Sequence, residues 1–312
     1  MNVLVVGLGI GKLYVEQATK LGWYVDTVDV NPNAGATFTS VPMDMKYDLG
    51  IVCVPNYLHL DIAAQLIAIC DKVLVEKPGF ATKQEWVEFS QQYPNRVFLV
   101  KNNCFRDIFY GMGLNFDKIE SIHFNWLNRN RVPKPGSWFT TKEKAFGGVS
   151  RDLLPHLIQA AVAMVRYDID NLAFVGGVKQ QNFELADIVK DSDRPGEYAY
   201  GEIVPNGTYD VDDLTQAEFL YGDVSIICTA TWKSKRRIYE SRLEWVVQFK
   251  DGTKMKYNAG LCPDYAYGTM LEAIMQEQAP ANLEIHRKMD ELVHEVIDNL
   301  LEVTKEFNPV KV

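Results

Sequence analysis

Residues 1–17 read MNVLVVGLGIGKLYVEQ, and the glycines at the centre raise the question of whether a nucleotide turn is encoded there. Val3 to Val6 form a short apolar run rich in β-branched residues, the pattern of a strand buried on both faces, and Lys12 to Leu21 carry helical spacing. Strand, glycines, helix is the context a dinucleotide turn needs. Glycine permits the tight turn and lets a pyrophosphate approach backbone N–H groups at a helix N-terminus. The spacing is shortened: Gly7, Gly9 and Gly11 give G-x-G-x-G, and Lys12 stands where G-x-G-x-x-G would place its last glycine. Taken alone, the turn leaves a purely structural role open.

The rhythm around it supports a nucleotide fold. Up to about residue 118, short apolar runs (VLVVG, WYVDTVDV, LGIVCV, KVLVEKP and RVFLV) alternate with helical segments, the βαβ pattern of a doubly wound parallel sheet. Beyond Lys118 the runs lengthen and alternate, as in ESIHFNW, AEFLYGDVSIICTATW and SRLEWVVQFKDGTKMKY, which predicts a mostly antiparallel sheet. Two helical stretches accompany it, RDLLPHLIQAAVAMV after Gly147 and Gly148, and LEIHRKMDELVHEVIDNLLEVTK near the end of the chain. The expectation is an α/β protein: a Rossmann domain over 1–118 and an α+β domain with a large sheet over 119–312. The polar stretch 180–213 reads as surface loops or an insertion.

Composition narrows the function. With 312 residues, 47% hydrophobic and 23% charged, the chain suits a globular protein of two cores. A formal net charge of -9 argues against general attraction to nucleic acid or an anionic membrane and favours small-molecule chemistry. The five cysteines are scattered and lack C-x-x-C spacing, so neither a disulfide framework nor a zinc site is expected, and a reducing cytoplasm fits. No basic segment precedes the first apolar stretch, and no apolar run reaches membrane-span length.

Asp29 ends the second apolar run, about 20 residues past the glycines, where a carboxylate can accept hydrogen bonds from both adenosine ribose hydroxyls. It would repel a 2′-phosphate, and Val30-Asn31-Pro32 supplies no compensating cation, which favours NAD over NADP. Further on, VPNYLH (54–59) and VEKPG (75–79), followed by FGGVSRDLLPHLI (146–158), closely resemble the Gfo/Idh/MocA oxidoreductases in order and spacing. The resemblance extends to DDLTQAEFLYGDVSIICTATW (212–232) and so spans nearly the whole chain. That family includes shortened nucleotide turns, which answers the question raised by GLGIG.

The resemblance implies a set of site residues. Around the dinucleotide it would place Gly7, Gly9, Ile10, Gly11, Asp29, Pro55, Asn56, His59, Glu76, Lys77 and Asn103. Around the substrate it would place Lys77, Asn103, Arg106, Asp152, His156 and Gln159. The residues agree with this physically. Lys77 falls at the C-terminal end of a predicted parallel strand, the edge where open α/β sheets bind ligands, and can hydrogen-bond a reacting oxygen. Glu76 would hold the lysine or the ribose, and Pro78 would follow a cis peptide as in relatives. Asp152 and His156 stand four apart on one predicted helix, hence on one face. Imidazole titrates near neutrality, so the resemblance implies that His156, or else Lys77, takes the hydroxyl proton, with Asp152 orienting the histidine or the substrate.

Several positions depart from the family pattern. Gln159 stands where an acidic residue is common, which puts a polyol preference in doubt, and Asn103-Cys104-Phe105-Arg106 displaces the arginine by one. Trp138 and Phe139 precede the glycine pair, where relatives set residues over the cofactor; core packing is the competing role. The run Lys233 to Arg237, KSKRR, reads as a solvated turn rather than a phosphate site. His286 and His294 read as lying on the polar side of the last helix, without a role.

The implied activity is NAD-dependent hydride transfer to or from a secondary hydroxyl or ketone of a sugar, cyclitol or related small molecule, in a homodimer or homotetramer joined through the second sheet. Two alternatives stay open: a non-catalytic dinucleotide sensor of the same fold, and a reductase of a non-sugar substrate resembling biliverdin reductase or dihydrodiol dehydrogenase. Fold does not choose among them.

Overall fold

Each of the five apolar runs before residue 118 becomes a strand of one parallel sheet in the computed structural model, which describes residues 1–110, 112–192, 203–234, 243–277 and 282–304. The chain begins β1 (Asn2–Val6), α1 (Gly11–Lys20), β2 (Tyr24–Val28), β3 (Tyr47–Val52), α2 (His59–Leu66), β4 (Cys70–Val75), α3 (Lys83–Gln92) and β5 (Val97–Leu99). It continues through α4 (Asp107–Tyr110), β6 (Ile119–Leu127), α5 (Lys142–Ala145), α6 (Val149–Asp152), α7 (Leu154–Met164), β7 (Leu172–Gln180) and α8 (Leu185–Ser192). The remainder is β8 (Leu214–Tyr221), β9 (Val224–Thr231), β10 (Leu243–Phe249), β11 (Lys254–Gly260), α9 (Tyr265–Gln276), α10 (Leu283–Asp298) and β12 (Leu301–Glu302).

The first sheet has the order β2-β1-β3-β4-β5, every pair parallel. Strand order reverses beside β1, so the crevice of this sheet lies at the C-terminal ends of β1 and β3, where the glycine turn and the VPN turn emerge. Val3, Leu4, Val5, Leu49, Ile51, Val73 and Leu74 are fully buried. Their β-branched and leucine side chains suit a sheet covered on both faces.

The compact units are not separated by one boundary near Lys118. One comprises Met1–Arg106 with Pro263–His294, the other Asp107–Cys262 with Glu295–Val312. Side chains of α9 and most of α10 return to the first unit. Tyr267 packs edge-on against Tyr14 with ring centroids 5.4 Å apart. Asp290 pairs with Lys101 at 2.9 Å, and His294 stacks on Trp86 at 4.6 Å.

The second sheet has the order β11-β10-β6-β9-β8-β7-β12 and is mostly antiparallel, with β6 against β9 and β12 against β7 running parallel. Register places Phe124, Trp245, Cys228 and Ala217 in one row, and Ile122, Val247, Ile226 and Phe219 in the next. All eight are buried on the face that receives α7. The opposite face carries Ser121, His123, Asn125, Ser225, Thr229, Gln216 and Glu218, with Ile227 and Val246 between them. Strand alternation thus puts most of the apolar side chains of SIICTATW and LEWVVQF inward. No helix among the described residues is long and apolar enough to cross a membrane.

Candidate active site

In the first unit the three glycines take three different tasks. Gly7 has φ +94°, and a Cβ there would lie 2.5 Å from the Cys53 carbonyl oxygen, so the turn at the end of β1 admits only glycine. A Cβ on Gly11 would lie 3.0 Å from Val5 Cγ1 and 3.4 Å from Cys53 Cβ, which lets α1 pack closely on the sheet. A Cβ on Gly9 would meet nothing within 4 Å. The open approach to backbone is therefore at Gly9, and Gly11 does the packing that the longer motif gives to a glycine one position later. Ile10 is exposed beside it, as is Lys12.

Asp29 closes this corner. Its Oδ2 accepts the Leu8 N–H at 2.8 Å and its Oδ1 the Asn31 N–H at 2.9 Å, so the carboxylate is held against the glycine turn. It stays partly exposed, and each oxygen retains capacity for a further donor. The corner fits a dinucleotide by its own geometry: open backbone at a helix N-terminus next to a fixed carboxylate.

The VPN and EKPG turns are locked to one another. His59 is 1% exposed, with Nδ1 2.8 Å from the Gly79 carbonyl and Nε2 3.0 Å from the Val54 carbonyl. Burial, with the Lys77 charge adding, lowers its pKa to about 4 against the opposing pull of the two carbonyls, only one of which a neutral ring can serve as donor. Asn56 is buried at the start of the same turn, and Pro55 precedes it in extended conformation. The Lys77–Pro78 bond is cis, as the family resemblance implies. Lys77 is half-buried just beyond β4. Its backbone N–H donates to Glu76 Oε2 at 3.0 Å, while Glu76 Oε1 accepts the Tyr14 hydroxyl at 2.6 Å.

After β5 the segment Lys101–Arg106 is buried throughout. Arg106 donates from Nη1 to Asn103 Oδ1 at 3.1 Å, so these two predicted substrate residues meet. Lys101, which carries no motif, is 1% exposed and bonds both Asp290 and the Leu99 carbonyl.

His294 corrects the sequence reading. It and His286 are buried, at 0% and 1% exposure, not on a solvated helix side. His294 Nε2 accepts the Phe80 N–H at 3.3 Å and Nδ1 donates to the Asp290 carbonyl at 2.7 Å, which fixes a neutral tautomer against the EKPG turn. His286 packs on Phe98 and Phe105. His286, Asp290 and His294 follow helical spacing, and their stripe faces the unit because its partners lie there.

In the second unit, the predicted single helix over Asp152 and His156 is broken. Asp152 ends α6, Leu153 interrupts, and His156 lies in the first turn of α7. Pro155 has no N–H to continue the ladder, which divides the two helices. Asp152 Oδ2 accepts the indole N–H of fully buried Trp232 at 2.8 Å. The His156 ring lies 5.7 Å from that of Trp126, and Gln159 is buried one turn on.

The glycine pair explains why α6 starts where it does. Asp212 Oδ1 accepts Gly148 N–H and Ser150 Oγ–H, both at 2.9 Å, and Oδ2 accepts Ser150 N–H at 2.7 Å. A Cβ on Gly148 would collide with the Asp212 carbonyl oxygen. Asp212 thus caps the helix from 64 residues away. Phe139, beside Trp138, lies 6.1 Å from the Trp232 ring. Lys233 is buried, donating to the Asp187 carbonyl at 3.1 Å and lying over the Phe183 ring, rather than solvated. Lys235, Arg236 and Arg237 lie outside the described residues.

The sequence reading missed Trp232 and Asp212, although both lie in the quoted stretch 212–232. A buried tryptophan needs an acceptor for its indole N–H, and that requirement was the available signal.

No family model matches the chain. A protein of Amycolatopsis mediterranei (strain S699), described provisionally as the oxidoreductase subunit of UDP-kanosamine synthase, is 30% identical over 169 residues. That match covers 49% of this chain and 44% of the relative, so it spans less than half of the relative's length. Among solved structures, GenD2 from gentamicin A biosynthesis, in complex with NAD, has a TM-score of 0.67 at 18% identity, covering 96% of this chain and 93% of its own. Levoglucosan dehydrogenase, in complex with NADH and levoglucosan, has a TM-score of 0.67 at 15% identity, covering 96% of both chains. The chain has the two-sheet fold of the Gfo/Idh/MocA-type oxidoreductases that its motifs resemble.

Proposed function

We propose that the chain is an NAD-dependent oxidoreductase that transfers a hydride between nicotinamide and a secondary hydroxyl or ketone of a sugar, cyclitol or related small molecule. The observation that carries this reading is the corner formed by Gly9 and Asp29, with Lys77 on the same sheet edge. Asp29 is fixed by the Leu8 and Asn31 N–H groups and suits ribose hydroxyls better than a 2′-phosphate. NAD bound to GenD2 and NADH with levoglucosan bound to levoglucosan dehydrogenase support the cofactor and the substrate class. The first unit would carry the dinucleotide, and the second the substrate and the subunit contact.

When bound, nicotinamide supplies the hydride acceptor or donor. The chain's own residues supply position and proton handling. Lys77 hydrogen-bonds the reacting oxygen and stabilises negative charge as it develops there. His156 takes the hydroxyl proton in oxidation and returns it in reduction. Asp152, held by Trp232, orients His156 or a substrate hydroxyl. Asn103 and Arg106 add donors, and Gln159 adds an amide in place of a carboxylate.

We also propose a homodimer or homotetramer formed through the second sheet, which light scattering would test. A reducing cytoplasm suits Cys53, Cys70, Cys104, Cys228 and Cys262, none of which is joined in a disulfide.

The decisive experiment is a panel of sugars, polyols, cyclitols and ketones assayed by absorbance of reduced cofactor, beside titrations of NAD and NADP. Turnover with NAD and weaker NADP binding are expected. Tight NAD binding without turnover of any member would favour the sensor reading, and equal or tighter NADP binding would overturn the assignment of Asp29.

A further inference from the structure

The helix that begins at the glycine turn also reaches the lysine turn. Tyr14 lies one turn into α1 and is fully buried, and its hydroxyl donates to Glu76 Oε1 at 2.6 Å. The other oxygen of the same carboxylate accepts the Lys77 backbone N–H at 3.0 Å. The backbone of Glu76 is itself fixed, its N–H on the Val52 carbonyl and its C=O accepting Gly79 N–H, both at 3.0 Å. We propose that Tyr14 is a positioning residue for Lys77, acting through the Glu76 carboxylate. The proposal rests on the reading of Lys77 given above.

The chemistry favours this over simple packing. A phenylalanine would fill the same volume against Tyr267, which meets the Tyr14 ring edge-on. The hydroxyl is the added feature, and it is aimed at a carboxylate that is 7% exposed. A buried carboxylate is costly unless donors satisfy it, and an O–H···O⁻ bond is among the strongest available. Burial, and then the charge of Glu76, hold the Tyr14 phenol well above its usual range, so it remains a donor. Groups that face Glu76 include Tyr14 from α1, Cys53 just after β3, and Lys77 beside it, with Tyr267 behind Tyr14 and His59 near Lys77. Burial, reinforced by Glu76, keeps Cys53 a neutral thiol. Tyr14 thus satisfies one carboxylate oxygen of Glu76, while the other anchors the backbone of the residue from which the lysine side chain departs.

The test compares wild type with Tyr14→Phe. In protein labelled with ¹³C at glutamate carboxyls, with Glu76→Gln assigning the resonance, the Glu76 midpoint should rise by about one to two pH units when the hydroxyl is removed. In wild type the Lys77 amide ¹⁵N resonance should move at the pH where Glu76 titrates. Turnover should fall about 10- to 100-fold with the KM for substrate and the Kd for NAD within about twofold. An unmoved Glu76 midpoint, or a wild-type Lys77 amide indifferent to Glu76 titration, would overturn the proposal. The amide measurement needs no variant and stands even if Tyr14→Phe fails to fold. Absence of turnover in wild type would count against hydride transfer, while the two resonances would still decide the role of Tyr14.

Discussion

The indole N–H of Trp232 donates to Asp152 Oδ2 at 2.8 Å, from a ring fully buried at the end of β9. A charge-assisted bond of this kind contributes about 1.5–3 kcal/mol. Trp232→Phe should therefore lower kcat/KM about 10- to 100-fold. Asp152→Ala removes the acceptor of the same contact, so the double variant should be little worse than the more damaging single one. Steady-state kinetics on the four proteins would check this, and additive losses would show that Trp232 acts elsewhere.

The glycine turn gives a prediction that separates binding from folding. Gly9→Ala adds a methyl group where nothing lies within 4 Å, so its melting temperature without ligand should match wild type. Its NAD affinity should fall at least about tenfold, because the methyl group occupies the approach to the backbone. Gly7→Ala meets the Cys53 carbonyl at φ +94° and should lose at least about 2 kcal/mol of stability whether or not NAD is present. Thermal melts with and without NAD would show the two patterns. Unchanged NAD affinity in Gly9→Ala would count against the pyrophosphate address.

How much of this was legible in the sequence depends on how far apart the partners lie. The parallel sheet, the position of Lys77 at a strand end and the glycine turn follow from local runs, where period and glycine chemistry suffice. That Gly11 packs against Val5 needs the structure, because the shortened spacing only poses the question. The break at Leu153 was signalled by Pro155, but the helical spacing of its flanks outweighed it. His294 was misread because a polar stripe on a helix looks the same whether it meets water or Trp86, and Trp86 is about 200 residues away. The Asp212 cap and the Trp232 bond to Asp152 are long-range in the same way.

Acid should weaken the first unit through His59. Burial lowers its pKa from the usual 6.5 to about 4, so between these values the unfolded chain binds a proton that the folded chain refuses. Its contribution is full above pH 6.5 and declines as pH falls toward 4, by roughly 3 kcal/mol in all. His123, lowered by burial, acts in the same direction. Asp213 and Asp290, each raised to about 6 by burial, act oppositely and gain stability as pH falls through 6 toward 3.8. His59→Gln removes only the first effect, so its melting temperature should fall less steeply than wild type between pH 6.5 and 4. Parallel acid limbs would refute the assignment.

Catalysis itself separates an enzyme from a sensor. Lys77 lies half-buried on the EKPG turn, and His156 lies in the first turn of α7, whereas the proposed dinucleotide corner is built from the glycine turn and Asp29. Removing either side chain should therefore leave NAD affinity nearly unchanged, whereas turnover should fall steeply. Proton transfer by a positioned group is typically worth about 10² to 10⁴ in rate, and Lys77→Met and His156→Asn should each lose activity on that scale while remaining folded. If both act on one oxygen and its proton, as proposed, the pair should also be strongly non-additive. Asp152→Asn should show a smaller loss, divided between KM and kcat, because its proposed task is orientation. Steady-state turnover measured beside calorimetric NAD binding for the wild type and these three variants supplies the test. Near-normal turnover in both Lys77→Met and His156→Asn would show that the hydroxyl proton leaves by another route. Loss of NAD binding in step with turnover would show instead that these residues serve the cofactor rather than the reacting oxygen.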